Sequence, residues 1–212
     1  MGDLMEGRVA VLASGTGTNL QALLEDAVVG PRVVLVVSDR PDAPALARAR
    51  ERRVETVVLP PSDVAGRDAH DDAIVETLRR HGIDVVVLAG YMRILGPGVV
   101  HAYRDRIVNV HPALLPAFPG ATAIDDALAY GARVTGVTVH LVDEEVDHGP
   151  ILAQEAVPIA DDDTVATLTA RIHDVEHRLL PTVTAALLQG RVRVAGRRAR
   201  LTGSRAALGG VA

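Results

Sequence analysis

The sequence predicts an α/β fold built on one doubly wound, mostly parallel sheet with an antiparallel C-terminal portion. Three observations carry this expectation. Short β-branched runs alternate with helical stretches through the first half of the 212 residues. Those runs are apolar almost throughout, as strands covered on both faces must be. The second half abandons that rhythm for two longer strands close enough together to form an antiparallel ribbon.

Strands are expected at 8–13, 33–38, 55–59 and 85–89, with helices at 18–26, 43–52 and 67–81 between them. Such a βαβαβαβ order implies right-handed crossovers. A fifth strand at 107–111 leads into the Pro- and Gly-rich loop 112–120, then a short helix at 124–130. Strands at 134–141 and 151–157 flank the acidic turn 143–149. Over 163–189 the residues Val165, Leu168, Ile172, Val175 and Leu179 recur at three- and four-residue spacings, the apolar stripe of an amphipathic helix. Residues 191–201 read as a small edge hairpin, and 202–212 as a disordered tail. With no repeat and no linker, one domain is expected over 7–201, its two halves meeting near residue 105.

Composition narrows the function. Hydrophobic residues make up 48% and aromatics 2% of the chain, so the core must be aliphatic. The same scarcity removes the stacking platform of single-strand nucleic-acid binders, and a net charge of -5 argues against a protein that grips a phosphate backbone. With no cysteine, disulfides and thiol chemistry are excluded, in keeping with a reducing cytoplasm. All 22 basic residues other than histidine are arginine, which excludes Schiff-base and Walker-type lysines. The start MGDLMEGR does not read as a signal peptide, and no run reaches the roughly 18 apolar residues of a membrane helix.

Chemistry concentrates in three places. After the first strand, Gly15-Thr16-Gly17-Thr18-Asn19 runs straight into a helix. Glycines let backbone N–H groups approach an anion, and the helix N-terminus adds unpaired donors; a plain tight turn is the alternative. Asp39, ending the second strand, stands where a nicotinamide-binding fold puts its ribose carboxylate, yet the third fingerprint glycine is absent. Next, Asn109 and His111 lie two apart on the fifth strand, hence on one face at the carboxyl edge of the sheet. An amide donor beside an imidazole can polarise a carbonyl and move a proton; alternatively, both anchor the proline loop. Finally, Asp143, Glu144, Glu145 and Asp147 crowd one turn. That is usually a solvated surface, but one carboxylate could swing against His111, and nothing local says which. His173 and His177 read as exposed helix histidines and His140 as structural.

These segments resemble the glycinamide ribonucleotide formyltransferase family of the folate formyltransferase superfamily. The resemblance covers nearly the whole chain. It rests on Ser14-Gly-Thr-Gly-Thr-Asn-Leu-Gln-Ala22, Ala89-Gly-Tyr-Met-Arg-Ile-Leu95, Asn109-Val-His-Pro-Ala-Leu-Leu-Pro116, Val146-Asp-His-Gly-Pro150 and Glu176-His177. It implies a Rossmann-like formyltransferase fold with a phosphate-binding half at about 7–105 and a catalytic and folate half at about 106–201. It also implies a catalytic trio of Asn109, His111 and Asp147. Gly17, Thr18 and Asn19 would hold the substrate phosphate, with Glu176 and His173 beside it. Arg67, Met92, Arg93, Ile94, Leu95, Val142, Glu144 and Val146 would line the folate pocket. Ala113, where serine is common, and Thr122, where histidine is common, depart from the pattern.

The implied reaction is direct attack of the glycinamide ribonucleotide amine on the formyl carbon of the co-substrate 10-formyltetrahydrofolate, through a tetrahedral intermediate, as part of purine biosynthesis. Asn109, and His111 when protonated, would donate to the oxyanion; Asp147 would stabilise the imidazolium and help collect the amine's proton. No metal is called for. The partners are two small molecules, not nucleic acid or membrane; a homodimer is admitted. Competing readings are transfer to methionyl-tRNA, hydrolysis of formyltetrahydrofolate, and a nucleotide-binding oxidoreductase. The first two usually carry an extra C-terminal barrel or N-terminal domain, for which little sequence is left here.

Overall fold

The computed structural model describes residues 6–202. Its elements run β1 (Val9–Leu12), α1 (Thr18–Glu25), β2 (Val33–Ser38), α2 (Pro44–Glu51), β3 (Glu55–Val58), α3 (Arg67–Arg80), β4 (Val85–Leu88) and α4 (Pro97–Ala102). They continue with β5 (Ile107–His111), α5 (Ala123–Tyr130), β6 (Val134–Leu141), β7 (Ile151–Pro158), α6 (Val165–Leu188), β8 (Val192–Ala195) and β9 (Arg198–Leu201).

The nine strands make one sheet in the order β3-β2-β1-β4-β5-β6-β7-β9-β8. Strands β1 to β5 pair in parallel. Then β6 runs antiparallel to β5, and β7 antiparallel to β6. The hairpin β8–β9 hangs on β7 through the single parallel bridge Ile151–Arg198.

The apolar runs are apolar because both faces are covered. Val9, Val11, Val85 and Val87 pack with Leu20, Leu23, Leu46, Leu168, Ile172 and Leu180, so α1, α2 and α6 lie on one side. Their neighbours Ala10, Leu12, Val86 and Leu88 pack with Ile74, Leu78, Val99 and Tyr103, placing α3 and α4 on the other. Each fully buried Val or Leu side chain stabilises the fold by about 1.5–3 kcal/mol relative to exposure. A core that is aliphatic apart from Tyr91 and Tyr103 therefore suffices.

The long α6 begins at a capping box in which Thr164 Oγ1 accepts from the Thr167 amide and Thr167 Oγ1 accepts from the Thr164 amide. Among the described residues no helix is long and apolar enough to cross a membrane.

Two differences from expectation stand out. The six-residue α4, opened by Pro97 and Gly98, is too short to show a periodic stripe, and periodicity does not predict it. Thr202 donates its amide to the Arg191 carbonyl at 2.7 Å, so it closes the hairpin instead of opening a tail. The rest of the expected tail, 203–212, lies outside the described residues.

Topology then fixes where a ligand can enter. Neighbouring strands β1 and β4 send their connections in opposite directions, to β2 and to β5, which leaves a crevice at their carboxyl ends. Ser14 spans it, donating its hydroxyl to Asp39 at 2.6 Å and accepting from the Met92 amide at 2.9 Å.

Candidate active site

At the carboxyl end of β5, Asn109 sits opposite His140 and His111 opposite Thr138 on β6. Directly opposed residues share a face of the sheet, so β6 presents a second imidazole to the site. Asn109 Nδ2 lies 3.0 Å from His140 Nε2, while His140 Nδ1 lies 2.9 Å from the Leu141 carbonyl. A carbonyl only accepts, which puts the His140 proton on Nδ1 and leaves Nε2 to accept from the Asn109 amide. The second amide hydrogen of Asn109 is then free for another acceptor.

The same logic assigns His111. Its Nε2 lies 2.7 Å from the Phe118 carbonyl, so that nitrogen carries the proton. Nδ1 is left as the basic nitrogen, and it faces Asp147 Oδ2 at 3.4 Å. Asp147 sits on the turn after β6 at φ 53, a left-handed conformation that non-glycine residues rarely adopt. Its carboxylate accepts from the Gly120 amide at 2.8 Å, and its other oxygen lies 3.7 Å from His140 Nε2. Both His111 and Asp147 are nearly buried, their side chains 4% and 11% exposed.

Burial lowers the His111 pKa, and the opposing pull of Asp147 and the Phe118 carbonyl does not fully offset it. The resting ring is therefore neutral, so Nδ1 can accept a proton and can donate only after it has taken one. For Asp147, burial works against ionisation, yet the carboxyl still lies below its usual range, with the Gly120 amide donating to it. The result is a charged carboxylate facing a neutral, basic nitrogen.

The trio Asn109, His111 and Asp147 converges, and His140 joins it. From sequence, His140 reads as structural; only the β5–β6 register reveals it, since the signal is the pairing of its strand with the one carrying Asn109. The other acidic residues of the turn look elsewhere. Asp143 meets His148 Nδ1 at 2.9 Å, Glu144 meets His101 Nε2 of α4 at 2.7 Å, and Glu145 stands 4.0 Å from His148. The Glu144 side chain is thus turned to α4, and only its backbone can serve a pocket beside Asp147.

Across the crevice, Gly17 adopts φ 75, and a Cβ there would lie 2.8 Å from Ala45. Glycine is required for that approach. No side chain caps α1, which leaves the first-turn amides at Thr18 and Asn19 facing outward. Asn19 Nδ2 donates to Glu176 Oε2 at 2.7 Å, whereas the buried Asn19 Oδ1 has no partner. Burial raises the Glu176 pKa against the hydrogen bond from Asn19. His173 stacks on His177 with ring centroids 5.8 Å apart, and both are half-buried instead of exposed, because α6 packs this face against α1.

Between the two clusters, Arg67 Nη2 reaches the Ile94 and Leu95 carbonyls at 3.4 and 3.3 Å. Leu95 is buried, Arg93 is exposed, and Met92 and Ile94 are strongly exposed apolar side chains, 70% and 60%. Val142 is half-buried at the end of β6, and Val146 is exposed on the turn.

A model of the formyl transferase family matches residues 7–184. The chain belongs to the formyl transferase family. Among its relatives, the phosphoribosylglycinamide formyltransferase of Mycobacterium tuberculosis strain H37Rv is 50% identical over 197 residues, spanning 92% of this chain and 91% of that one. The Bacillus subtilis phosphoribosylglycinamide formyltransferase is 41% identical, spanning 85% and 94%. The crystal structure of glycinamide ribonucleotide transformylase 1 from Symbiobacterium toebii superposes with a TM-score of 0.90 at 45% identity, covering 92% and 94%. In this formyl transferase the matched span takes in the trio, His140 and the glycine loop, and stops short of β8 and β9.

Proposed function

We propose that the chain transfers the formyl group of 10-formyltetrahydrofolate to the amine of glycinamide ribonucleotide in de novo purine synthesis, working in the cytoplasm. The observation that carries this reading is the meeting of a neutral His111 Nδ1, a charged Asp147 and a spare Asn109 N–H opposite an uncapped helix N-terminus. Relatives that this chain matches nearly end to end are named for that substrate.

The residues present fit both molecules. A phosphate would accept from the first-turn amides at Gly17, Thr18 and Asn19. The orphaned Asn19 Oδ1 and the Glu176 carboxyl offer acceptors for hydroxyl or amide hydrogens farther along the ribonucleotide. Met92, Ile94 and Val146 offer exposed apolar surface for a planar pterin, with backbone polar groups at 93–95 and 142–146 for its edges.

The folate supplies the formyl carbon. An α-amine has a pKa of about 7.7–8.0 and is partly neutral near pH 7. As it adds to that carbon, Asn109 donates its free N–H to the developing oxyanion, an interaction worth about 10²–10³ in rate. His111 Nδ1 takes the proton the amine loses, and Asp147 stabilises the imidazolium so formed. His111 then returns that proton to the departing folate nitrogen as the old C–N bond breaks. General acid–base transfer of this kind contributes about 10²–10⁴.

The test is absorbance-monitored deformylation of 10-formyltetrahydrofolate with and without glycinamide ribonucleotide. Consumption only with the ribonucleotide, abolished in His111→Ala, is the expected result. Equal consumption without it would replace the transferase with a hydrolase.

A further inference from the structure

The C-terminal hairpin, beyond the span matched by the family, touches the turn that carries Asp147. We propose that Arg197, at the tip between β8 and β9, is a positioning residue that holds the 143–149 turn so that Asp147 stays against His111.

Arg197 Nη2 donates to the main-chain carbonyl of His148 at 2.6 Å, one residue from Asp147. Its Nη1 lies 2.7 Å from His148 Nε2 and 2.9 Å from Nδ1, and so rests against the imidazole ring. The His148 ring is itself oriented: Nδ1 lies 2.9 Å from Asp143 Oδ2, and a carboxylate only accepts, so Nδ1 carries the proton. Asp143 thus fixes the ring on which Arg197 rests, while the guanidinium holds the main chain behind it.

The turn needs such a hold. Asp147 at φ 53 is strained, and strained residues persist only where their surroundings over-determine them. The base of the turn is closed by Leu141 accepting no slack: its amide bonds the Pro150 carbonyl at 2.9 Å, and a Cβ on Gly149 would lie 1.8 Å from the Leu141 carbonyl. The turn borders open space. A cleft of about 420 Å³ separates it from α4 and the hairpin, with Arg104, Glu144, His148 and Arg197 among its walls. Among the described residues two side-chain contacts bridge this cleft, His101 to Glu144 and Arg197 to His148. The second grips the backbone next to the catalytic carboxylate, and charge-assisted bonds to a carbonyl are the stronger kind.

The inference rests on the proposed role of Asp147, so its test uses two readouts. Arg197 is exposed, and exposed contacts of this sort are modest; Arg197→Ala is expected to lower kcat about three- to five-fold. Ribonucleotide binding should not change, because the glycine loop and α6 do not touch the hairpin tip. Independently of turnover, the NMR titration of His111 should move to lower pH, as in Asp147→Asn, because Asp147 raises that pKa. Arg197→Lys should recover part of both effects by donating to the same carbonyl. Adding His148→Ala to Arg197→Ala should cost less than the sum of the two. An unmoved His111 titration in Arg197→Ala overturns the inference, whatever happens to kcat or to the melting temperature. If wild-type protein transfers no formyl group, the functional proposal fails while the titration still decides the positioning.

Discussion

Burial and charge compete for one proton at His111. Burial wins at rest, so the ring titrates below the ordinary histidine value of about 6.5. Asp147→Asn removes the carboxylate that partly resists this, and the His111 midpoint should fall further in histidine NMR, even as turnover drops. A midpoint that rises would reverse the assigned electrostatics. The linkage has a definite sign: a histidine whose folded pKa lies below its unfolded one destabilises the fold as pH drops through that interval. Asp147, held below its usual range, acts in the same direction at lower pH, its contribution present above about 3.9 and lost as the solution falls through its folded value. Asn109→Ala should cost about 10²–10³ in kcat while leaving ribonucleotide affinity unchanged, checked by titration calorimetry beside steady-state rates. Asn109 and His111 are visible in the sequence because strand alternation puts them on one face. His140 is not, because its neighbourhood to Asn109 depends on which strands pair and in what register. The carbonyl of Phe118 and the amide of Gly120 escape for a similar reason: backbone groups leave no residue-type signature.

Elements carry their own signals to different depths. The parallel strands and long helices announce themselves by β-branched runs and by the α6 stripe, and their ends shift by only a residue or two because capping, not periodicity, sets a boundary. At α6 that cap is Thr164, and Thr164→Ala should destabilise the protein by about 1 kcal/mol in urea denaturation. An unchanged midpoint would mean that Asp163, bound to Arg171, secures the helix start unaided. The glycine loop allows a sharper test. Gly17→Ala would force a side chain into a left-handed backbone and into contact with Ala45. At a strain of about 1–3 kcal/mol, ribonucleotide binding should weaken about tenfold by calorimetry, with folate binding spared. Equal affinity would show that the phosphate does not need this turn.

Over the whole molecule, stability is uneven in a way that the sheet order explains. Strands β1 and β4 are flanked on both edges and covered on both faces, whereas β8 and β9 attach through one bridge. Hydrogen exchange should therefore release amides of 192–201 well before those of 9–12 and 85–88. Simultaneous exchange would make the hairpin part of the main cooperative unit. Composition and alternation predict the single parallel sheet with its antiparallel end, but not that the hairpin tip would reach back to the turn beside His111. That contact depends on tertiary geometry between Arg197 and His148, which lie 49 residues apart. A longer reach joins Asn19 to Glu176 across 157 residues. A nascent chain leaving the ribosome therefore completes its first strand and glycine turn early, yet cannot join Asn19 to Glu176, the pair proposed to receive the ribonucleotide, until α6 emerges and docks on α1. Substrate cannot act as a template for the first half of synthesis; it can only reward a polypeptide that is already nearly finished.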